Sequence, residues 1–168
     1  MSIFRELLQI KSFREGRAEL AVIAQRQSLT QAQGAEDAAR TGLIEYTEFA
    51  TRREATLYRE LCSRIVGLRD LEDLQSTVAE LRQHITILEK ELEEASRQRT
   101  VQADLLSQAQ DAHRVAMRIK QKFVELEQVY ADELAIEVER KEDLELEEVS
   151  GVGNLTNAWN SAGREAAS

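Results

Sequence analysis

The sequence contains no proline and only seven glycines among its 168 residues. Proline is the strongest helix breaker, because its ring removes a backbone donor and clashes with the preceding turn. Aromatic residues make up 5% of the chain and charged residues 32%, which favours elongated helices over a globular core. A wide core also needs helices with broad apolar faces, and the even spread of charge argues against such faces.

Cysteine pairs, long apolar runs and excess positive charge are missing as well. The one cysteine, Cys62, excludes an intramolecular disulfide framework and fits a reducing compartment. No stretch approaches the roughly 20 apolar residues of a membrane span, and residues 1–17 lack the uncharged core of a secretory signal. We therefore expect a cytoplasmic protein without direct membrane insertion. The net charge of −9 argues against nucleic acid as a partner, because phosphate neutralisation needs a basic surface.

A regular apolar pattern is clearest between residues 74 and 92. Apolar side chains recur there at alternating steps of four and three positions, at Leu74, Val78, Leu81, Ile85, Leu88 and Leu92. This is a heptad seam on one face of a helix. A helix with so narrow an apolar stripe cannot bury it alone, so the pattern predicts a partner helix.

The predicted partner is a first helix over about residues 2–66, with Ser2 as its N-cap. Its apolar track runs through Val22, Leu29, Ala32, Ala39, Leu43, Tyr46, Ala50 and Leu57, and then changes phase through Leu61, Ile65 and Leu68. Polar residues occupy seam positions at Gln25, Glu36 and Arg53. The pattern is therefore helical throughout but weaker than that of residues 74–92.

The chain is predicted to reverse at about residues 67–73, GLRDLED. Gly67 can end the first helix in a left-handed conformation, and Asp70 or Asp73 can cap the second. A continuous helix that pairs between molecules is the alternative. We favour the hairpin because its two arms have similar lengths, so that one can cover the stripe of the other.

The second helix is predicted over about residues 71–148. Arg99 and Gln102 interrupt its seam, and beyond Ala109 the better track shifts phase, avoiding His113. That track runs through Ala112, Ala116, Ile119, Phe123, Leu126 and Tyr130. The predicted fold is all-α: residues 1–148 form two long antiparallel helices in a coiled-coil hairpin, and residues 149–168 form a flexible tail. The oligomeric state is left open.

Charge is segregated along the second helix. Residues 97–122 hold six basic and two acidic residues, whereas residues 132–148 hold nine acidic and two basic ones. The acidic run is either a solvated helix end or a contact for a basic partner surface. Trp159 in the polar tail is either incidental or the anchor of a docking segment.

Residues able to support catalysis are scarce, and we predict no catalytic, cofactor or metal site. His84 and His113 are interpreted as structural, and with Cys62 distant they show no metal-ligand spacing. The Gly151-Val152-Gly153 segment lacks the strand, helix and lysine of a phosphate loop. Glutamates on a rod have no water-excluding cleft to shift their pKa. We therefore expect no enzymatic function.

Three segments resemble a known family. Residues 43–49, LIEYTEF, are similar to the Leu-Ile-Asp-Tyr stretch that precedes the hairpin of flagellar members, residues 66–73 resemble the family's turn, and residues 122–127 its late second helix. Together with the two-helix layout, residues 1–140 resemble the stalk proteins of type III secretion systems, the YscO (SctO) family, and their flagellar relative FliJ.

The resemblance implies a position at the base of a membrane-embedded secretion apparatus, in virulence or symbiosis. The family's terminal ends sit at a hexameric secretion ATPase, its hairpin end faces the cytoplasmic ring of the export gate, and it escorts secretion chaperones. The resemblance implies that Leu43 and Tyr46, at the positions that match the family's gate-binding residues, contact the export gate. The facing residues on the second helix are Leu74, Val78, Leu81 and Ile85. The sequence departs from the family pattern at Ala39 and Ala50.

For the ATPase contact we single out the apolar residues Phe4, Leu7 and Leu8 at the start of the first helix, together with the end-to-end charge contrast along the second helix. The rival interpretation is a generic cytoplasmic coiled-coil scaffold or a membrane-associated rod. A lipid-binding face would favour the latter, but the N-terminal stretch carries only a slight basic excess.

Overall fold

A computed structural model describes residues 3–167 and contains two α-helices, α1 over Ile3–Cys62 and α2 over Leu68–Glu165. The described residues include no strand. Ser2, the predicted N-cap, lies outside them. The prediction of two long helices that pair with each other is confirmed, and neither helix contains a segment apolar enough to cross a bilayer within residues 3–167.

The chain divides into two compact units. One, here called the hairpin unit, is Glu15–Val115, and the other, the terminal unit, is Met1–Arg14 together with Ala116–Ser168. The hairpin unit contains the turn between the helices, whereas the terminal unit contains both chain termini.

The helices of the hairpin unit run antiparallel. Glu54 pairs with Arg82 at 3.1 Å, Glu36 with Arg99 at 3.2 Å, and Glu15 with His113 at 2.9 Å. In these three pairs, the further the α1 residue lies from the turn, the further its α2 partner lies from the turn as well. Burial is confined to a narrow stripe, because the buried residues of the described chain are Val22, Glu36, Ala50, Leu74 and Val78.

The terminal unit shows the same antiparallel pairing. The Phe4 ring lies 5.6 Å from the Tyr130 ring, and the Lys11 ammonium lies 5.4 Å from the centroid of Phe123. Arg5 and Glu127 form an ion pair at 3.2 Å. A tilted aromatic pair and a cation over a ring thus add to the packing of Leu7 and Leu8 in this unit.

The predicted phase shift in the second helix is wrong at two of its six residues, whereas Ala116, Ile119, Phe123 and Tyr130 are half-buried as predicted. The original alternation of three and four continues beyond residue 92 through the half-buried residues Ala95, Gln102, Leu106, Ala109, His113, Ala116, Lys120, Phe123, Glu127 and Tyr130. Ala112 and Leu126, assigned to the shifted track, are exposed. Polar residues fill seam places because they pair with α1, His113 with Glu15 and Glu127 with Arg5.

The predicted track of the first helix is wrong near its end. Ile65 and Leu68 are 103% and 74% exposed, so the track does not reach them. The change of phase falls earlier, because Ala50 is buried, Glu54 is half-buried and Arg53 is exposed. Glu54 takes the seam place since its carboxylate can pair with Arg82 of the facing helix.

The turn is shorter than predicted and lies earlier in the chain. The first helix ends at Cys62 rather than near 66, the second begins at Leu68 rather than near 71, and residues 63–67 connect them. No described residue has a positive φ, so Gly67 does not end α1 in a left-handed conformation. The N–H of Gly67 instead donates a hydrogen bond to the Asp70 carboxylate at 3.2 Å, and the Gly67 carbonyl accepts one from the N–H of Leu71 at 3.3 Å. Gly67 is therefore the N-cap of α2, with Asp70 bonding back to it.

The second helix does not stop near residue 148, and residues 149–165 are helical where a flexible tail was predicted. No proline interrupts this stretch, and Gly151 and Gly153 weaken a helix without terminating it. Every residue from 131 to 167 is exposed, Trp159 at 83%. The flexibility of this segment stays a prediction. It is in keeping with the exposure of these residues, because most helical stability in proteins comes from tertiary packing.

Candidate partner-binding surfaces

The six residues assigned to the export gate lie in the seam of the hairpin unit. Leu74 and Val78 are buried, with 7% and 6% of their surface exposed. The other four, Leu43, Tyr46, Leu81 and Ile85, are half-buried. A partner can therefore touch these four at their edges, whereas Leu74 and Val78 become accessible only if the helices separate.

Tyr46 is the centre of an aromatic group that joins the two helices. Its ring lies 4.2 Å from the ring of His84 on α2 and 5.6 Å from that of Phe49, one turn further along α1. Phe49 is 47% exposed. The sequence interpretation did not predict the contact of Tyr46 with His84. The position of His84 immediately before the seam residue Ile85 was the available signal.

The three residues assigned to the ATPase contact are half-buried in the terminal unit: Phe4, Leu7 and Leu8. Phe4 uses its ring against Tyr130. The apolar side chains more open to solvent on this part of α1 are Ile3 at 66%, Ile10 at 48% and Phe13 at 66%. The predicted residues thus contribute to helix pairing, and their exposed neighbours widen the surface available to a partner.

Residues 132–148 of α2, here called the acidic segment, are exposed throughout. Apolar side chains accompany the acidic ones, with Ile136 at 62%, Leu144 at 54% and Leu146 at 65% exposure. A helix that presents both carboxylates and aliphatic side chains to solvent fits a groove with an apolar floor and basic margins.

A polar layer interrupts the hairpin seam at Glu36. Its carboxylate accepts hydrogen bonds from Arg40 at 2.8 Å and from Arg99 at 3.2 Å. Desolvation by burial acts to raise the pKa of Glu36, but the hydrogen bonds and charges of Arg99 and Arg40 outweigh it, so the pKa lies below its ordinary value of 4.5. The sequence marked Glu36 and Arg99 as separate interruptions of the seam. Their pairing follows from the antiparallel register, which brings residues equally distant from the turn together.

A second polar layer joins Glu15 and Glu19 of α1 to His113 of α2. The Nε2 atom of His113 lies 2.9 Å from a carboxylate oxygen of Glu15. One potential ligand atom from each of the three residues lies within 4.8 Å of the other two. The sequence interpretation treated the histidines singly and missed this group. The available signal was that His113 lies at a seam position of the unshifted heptad pattern, but the predicted phase-shifted track left His113 out.

Comparison with known proteins gives a family match and a structural match. The family model described as type III secretion protein YscO matches residues 4–151. The crystal structure of the type III secretion protein YscO from Vibrio parahaemolyticus is 27% identical in sequence, with a TM-score of 0.81, and the match covers 87% of this chain and 92% of that one. No curated protein shows significant similarity. The family match includes the whole hairpin unit.

Proposed function

Because this chain belongs to the YscO family of type III secretion proteins, we propose that it is a central stalk component of a secretion apparatus. In this role it links the hexameric secretion ATPase to the cytoplasmic ring of the export gate, at the base of the membrane-embedded machinery. The observation that carries the proposal is the match over residues 4–151 combined with the shared two-helix fold. Escort of secretion chaperones is a further expectation of family membership. The same match favours a secretion role over the generic scaffold or membrane-associated rod.

The seam geometry suits a component that must touch two partners. The buried stripe is narrow, so most of the surface of each helix stays available to other proteins. Much of that surface is charged, which favours contacts that form and release over permanent apolar adhesion. We expect no catalysis by the chain itself.

We assign the ATPase contact to the terminal unit, where α1 begins and the acidic segment lies. Every residue of the acidic segment is exposed, so its glutamates can be changed without disturbing the paired seam. Replacing Glu142, Glu145 and Glu148 together by Gln should weaken retention of the cognate ATPase in a pull-down, because these carboxylates supply attraction to a basic surface.

The matched control replaces Glu89, Glu91 and Glu93 by Gln, since these are also exposed carboxylates, on α2 of the hairpin unit. This control should retain the ATPase at the wild-type level. If both triple variants retain it equally, the acidic segment has no part in the contact. Truncation of residues 1–15 then tests whether Phe4, Leu7 and Leu8 carry it instead.

We assign the gate contact to Tyr46, with its half-exposed neighbour Phe49. Leu74 and Val78 are too buried for direct contact with a partner, and Leu74 lies beside Leu57 and Leu61 nearer the turn. Tyr46→Ala should reduce secretion by cells in which the variant replaces the native chain. His84→Ala is the matched control, since it removes the ring that packs on Tyr46 and leaves the tyrosine in place.

Helicity and melting temperature must be measured for both variants, so that a folding defect is recognised. Loss of secretion with Tyr46→Ala and normal secretion with His84→Ala supports the assignment, provided that both variants melt alike. Normal secretion with Tyr46→Ala would remove Tyr46 from the gate contact.

A further inference from the structure

Three side chains with metal-binding atoms converge between α1 and α2 within the hairpin unit. Glu15 and Glu19 lie one helical turn apart on α1, and His113 faces them from α2. Their ligand atoms all lie within 4.8 Å of one another, and the closest pair, His113 Nε2 and Glu15 Oε1, is 2.9 Å apart. The group is therefore compact although His113 lies 98 positions along the chain from Glu15.

The spacing is close to what a bound ion requires. Ligand atoms held about 2.1 Å from a tetrahedral Zn²⁺ lie about 3.4 Å from one another. His113 Nε2 and Glu15 Oε1 are 2.9 Å apart, so these two atoms need to separate only slightly to reach that distance. The exposed side chain of Glu19 can rotate to close the remaining distance. Two glutamates at positions i and i+4 lie on the same face of a helix, so both can reach one ion.

The burial and position of the three side chains also fit a metal site that is partly shielded from solvent on one side and open to it on the other. The side chains of Glu15 and His113 are 16% and 22% exposed, and both lie at places where a heptad seam normally carries apolar residues. Exposed Glu19 forms the outer side. Such an arrangement leaves one coordination position facing solvent, where a water molecule can complete the shell.

We propose that Glu15, Glu19 and His113 form a Zn²⁺ site that clamps α1 to α2 in the hairpin unit. The donor set of one imidazole and two carboxylates suits Zn²⁺, whereas Mg²⁺ prefers oxygen ligands alone. The two carboxylates supply the negative charge that balances the ion. Because the ligands come together only in the folded hairpin, bound Zn²⁺ stabilises the paired helices.

The test is titration of the full chain with Zn²⁺, followed by calorimetry and by thermal melting. We expect one ion per chain, a higher melting temperature with Zn²⁺, and no comparable effect of Mg²⁺. His113→Ala should weaken binding by at least about tenfold, since losing even a supporting contact to a metal ligand has an effect of that size. His84→Ala is the matched control, because His84 is the other histidine of the chain, and it should bind as the wild type does.

Two further variants exclude trivial explanations. Glu19→Gln tests the site without touching the seam, because Glu19 is exposed, and it should weaken Zn²⁺ binding even if His113→Ala folds poorly. Cys62→Ser should bind normally, since the exposed thiol of Cys62 is outside the group. Substitution of Co²⁺ should give a visible absorption band that disappears in His113→Ala.

Wild-type affinity in Glu19→Gln and His113→Ala would overturn the proposal, as would loss of binding in Cys62→Ser or failure of the wild type to bind Zn²⁺. None of these outcomes bears on the secretion role, which the ATPase and gate experiments test separately.

Discussion

The carboxylate of Glu36 on α1 accepts a hydrogen bond at 3.2 Å from the guanidinium of Arg99 on α2. The Glu36 side chain is only 5% exposed, whereas that of Arg99 is 51% exposed. A charge this deep in the seam is tolerated because Arg40 bonds it as well, and removal of its partners would leave it uncompensated. A polar pair at a single seam level also disfavours other registers, in which each charge would face an apolar side chain.

The first prediction concerns stability in acid. The pKa of Glu36 is lower in the folded chain than its ordinary value of 4.5, because Arg99 and Arg40 favour the charged form despite burial. Its contribution to stability is therefore complete above pH 4.5 and is lost as the pH falls through the lowered pKa. Glu36→Gln should melt below the wild type at neutral pH, and the difference should shrink on acidification below pH 4.5.

The control for this measurement is Asp37→Asn. Asp37 is the neighbouring acid and contacts Arg40 at 3.6 Å, but its side chain is 75% exposed. Its removal should change the melting temperature little at any pH, since exposed ion pairs contribute little. A pH-independent difference between Glu36→Gln and the wild type would show that packing rather than charge accounts for the role of Glu36.

The second prediction concerns the narrow seam. Leu74 is 7% exposed, and truncation of a buried leucine to alanine removes apolar burial and leaves a cavity. Leu74→Ala should therefore lower the free energy of unfolding in urea by about 2 kcal/mol or more. Leu144→Ala makes the same chemical change at a site that is 54% exposed, and its effect should stay within about 0.5 kcal/mol. Equal effects at both sites would contradict the placement of the seam.

The fold was predictable from the sequence where the apolar period is strong. Leu74 and Val78 were assigned to the seam from spacing alone and are buried. The apolar spacing did not identify the seam residues correctly where polar residues occupy seam positions. Glu127 was passed over in favour of Leu126, although Glu127 faces α1 and pairs with Arg5. Counting apolar residues cannot detect a charged residue that is held in the seam by a partner on the other helix.

Boundaries and sites depended on interactions that a one-dimensional pattern does not contain. The start of α2 is set by the bond between Gly67 and Asp70, whereas the sequence interpretation placed Gly67 at the end of α1. Tyr46 was identified by resemblance and does face α2, but its contact with His84 required the register between the helices. The group of Glu15, Glu19 and His113 required that register as well.

The third prediction concerns the exposed part of α2. Every residue from 131 to 165 is exposed, so these helical turns lack the packing that protects amides from exchange. Hydrogen–deuterium exchange should be fast over 131–165 and slow over 74–92. Addition of the cognate ATPase should slow exchange in the acidic segment if that segment forms the contact. Protection of 131–165 equal to that of 74–92 in the isolated chain would indicate a partner copy covering this helix.

The last prediction distinguishes a hairpin within one molecule from helices that pair between molecules. Glu54 and Arg82 form a cross-helix ion pair at 3.1 Å, so cysteines at these two positions, in a Cys62→Ser background, should be joined by a short bismaleimide. The product should have the mass of one chain at every protein concentration. The control combines Glu54→Cys with Glu93→Cys, which lies about 16 Å further along α2 at the rise of an α-helix and should remain unlinked. A product with the mass of two chains would show that the stripes pair between molecules instead.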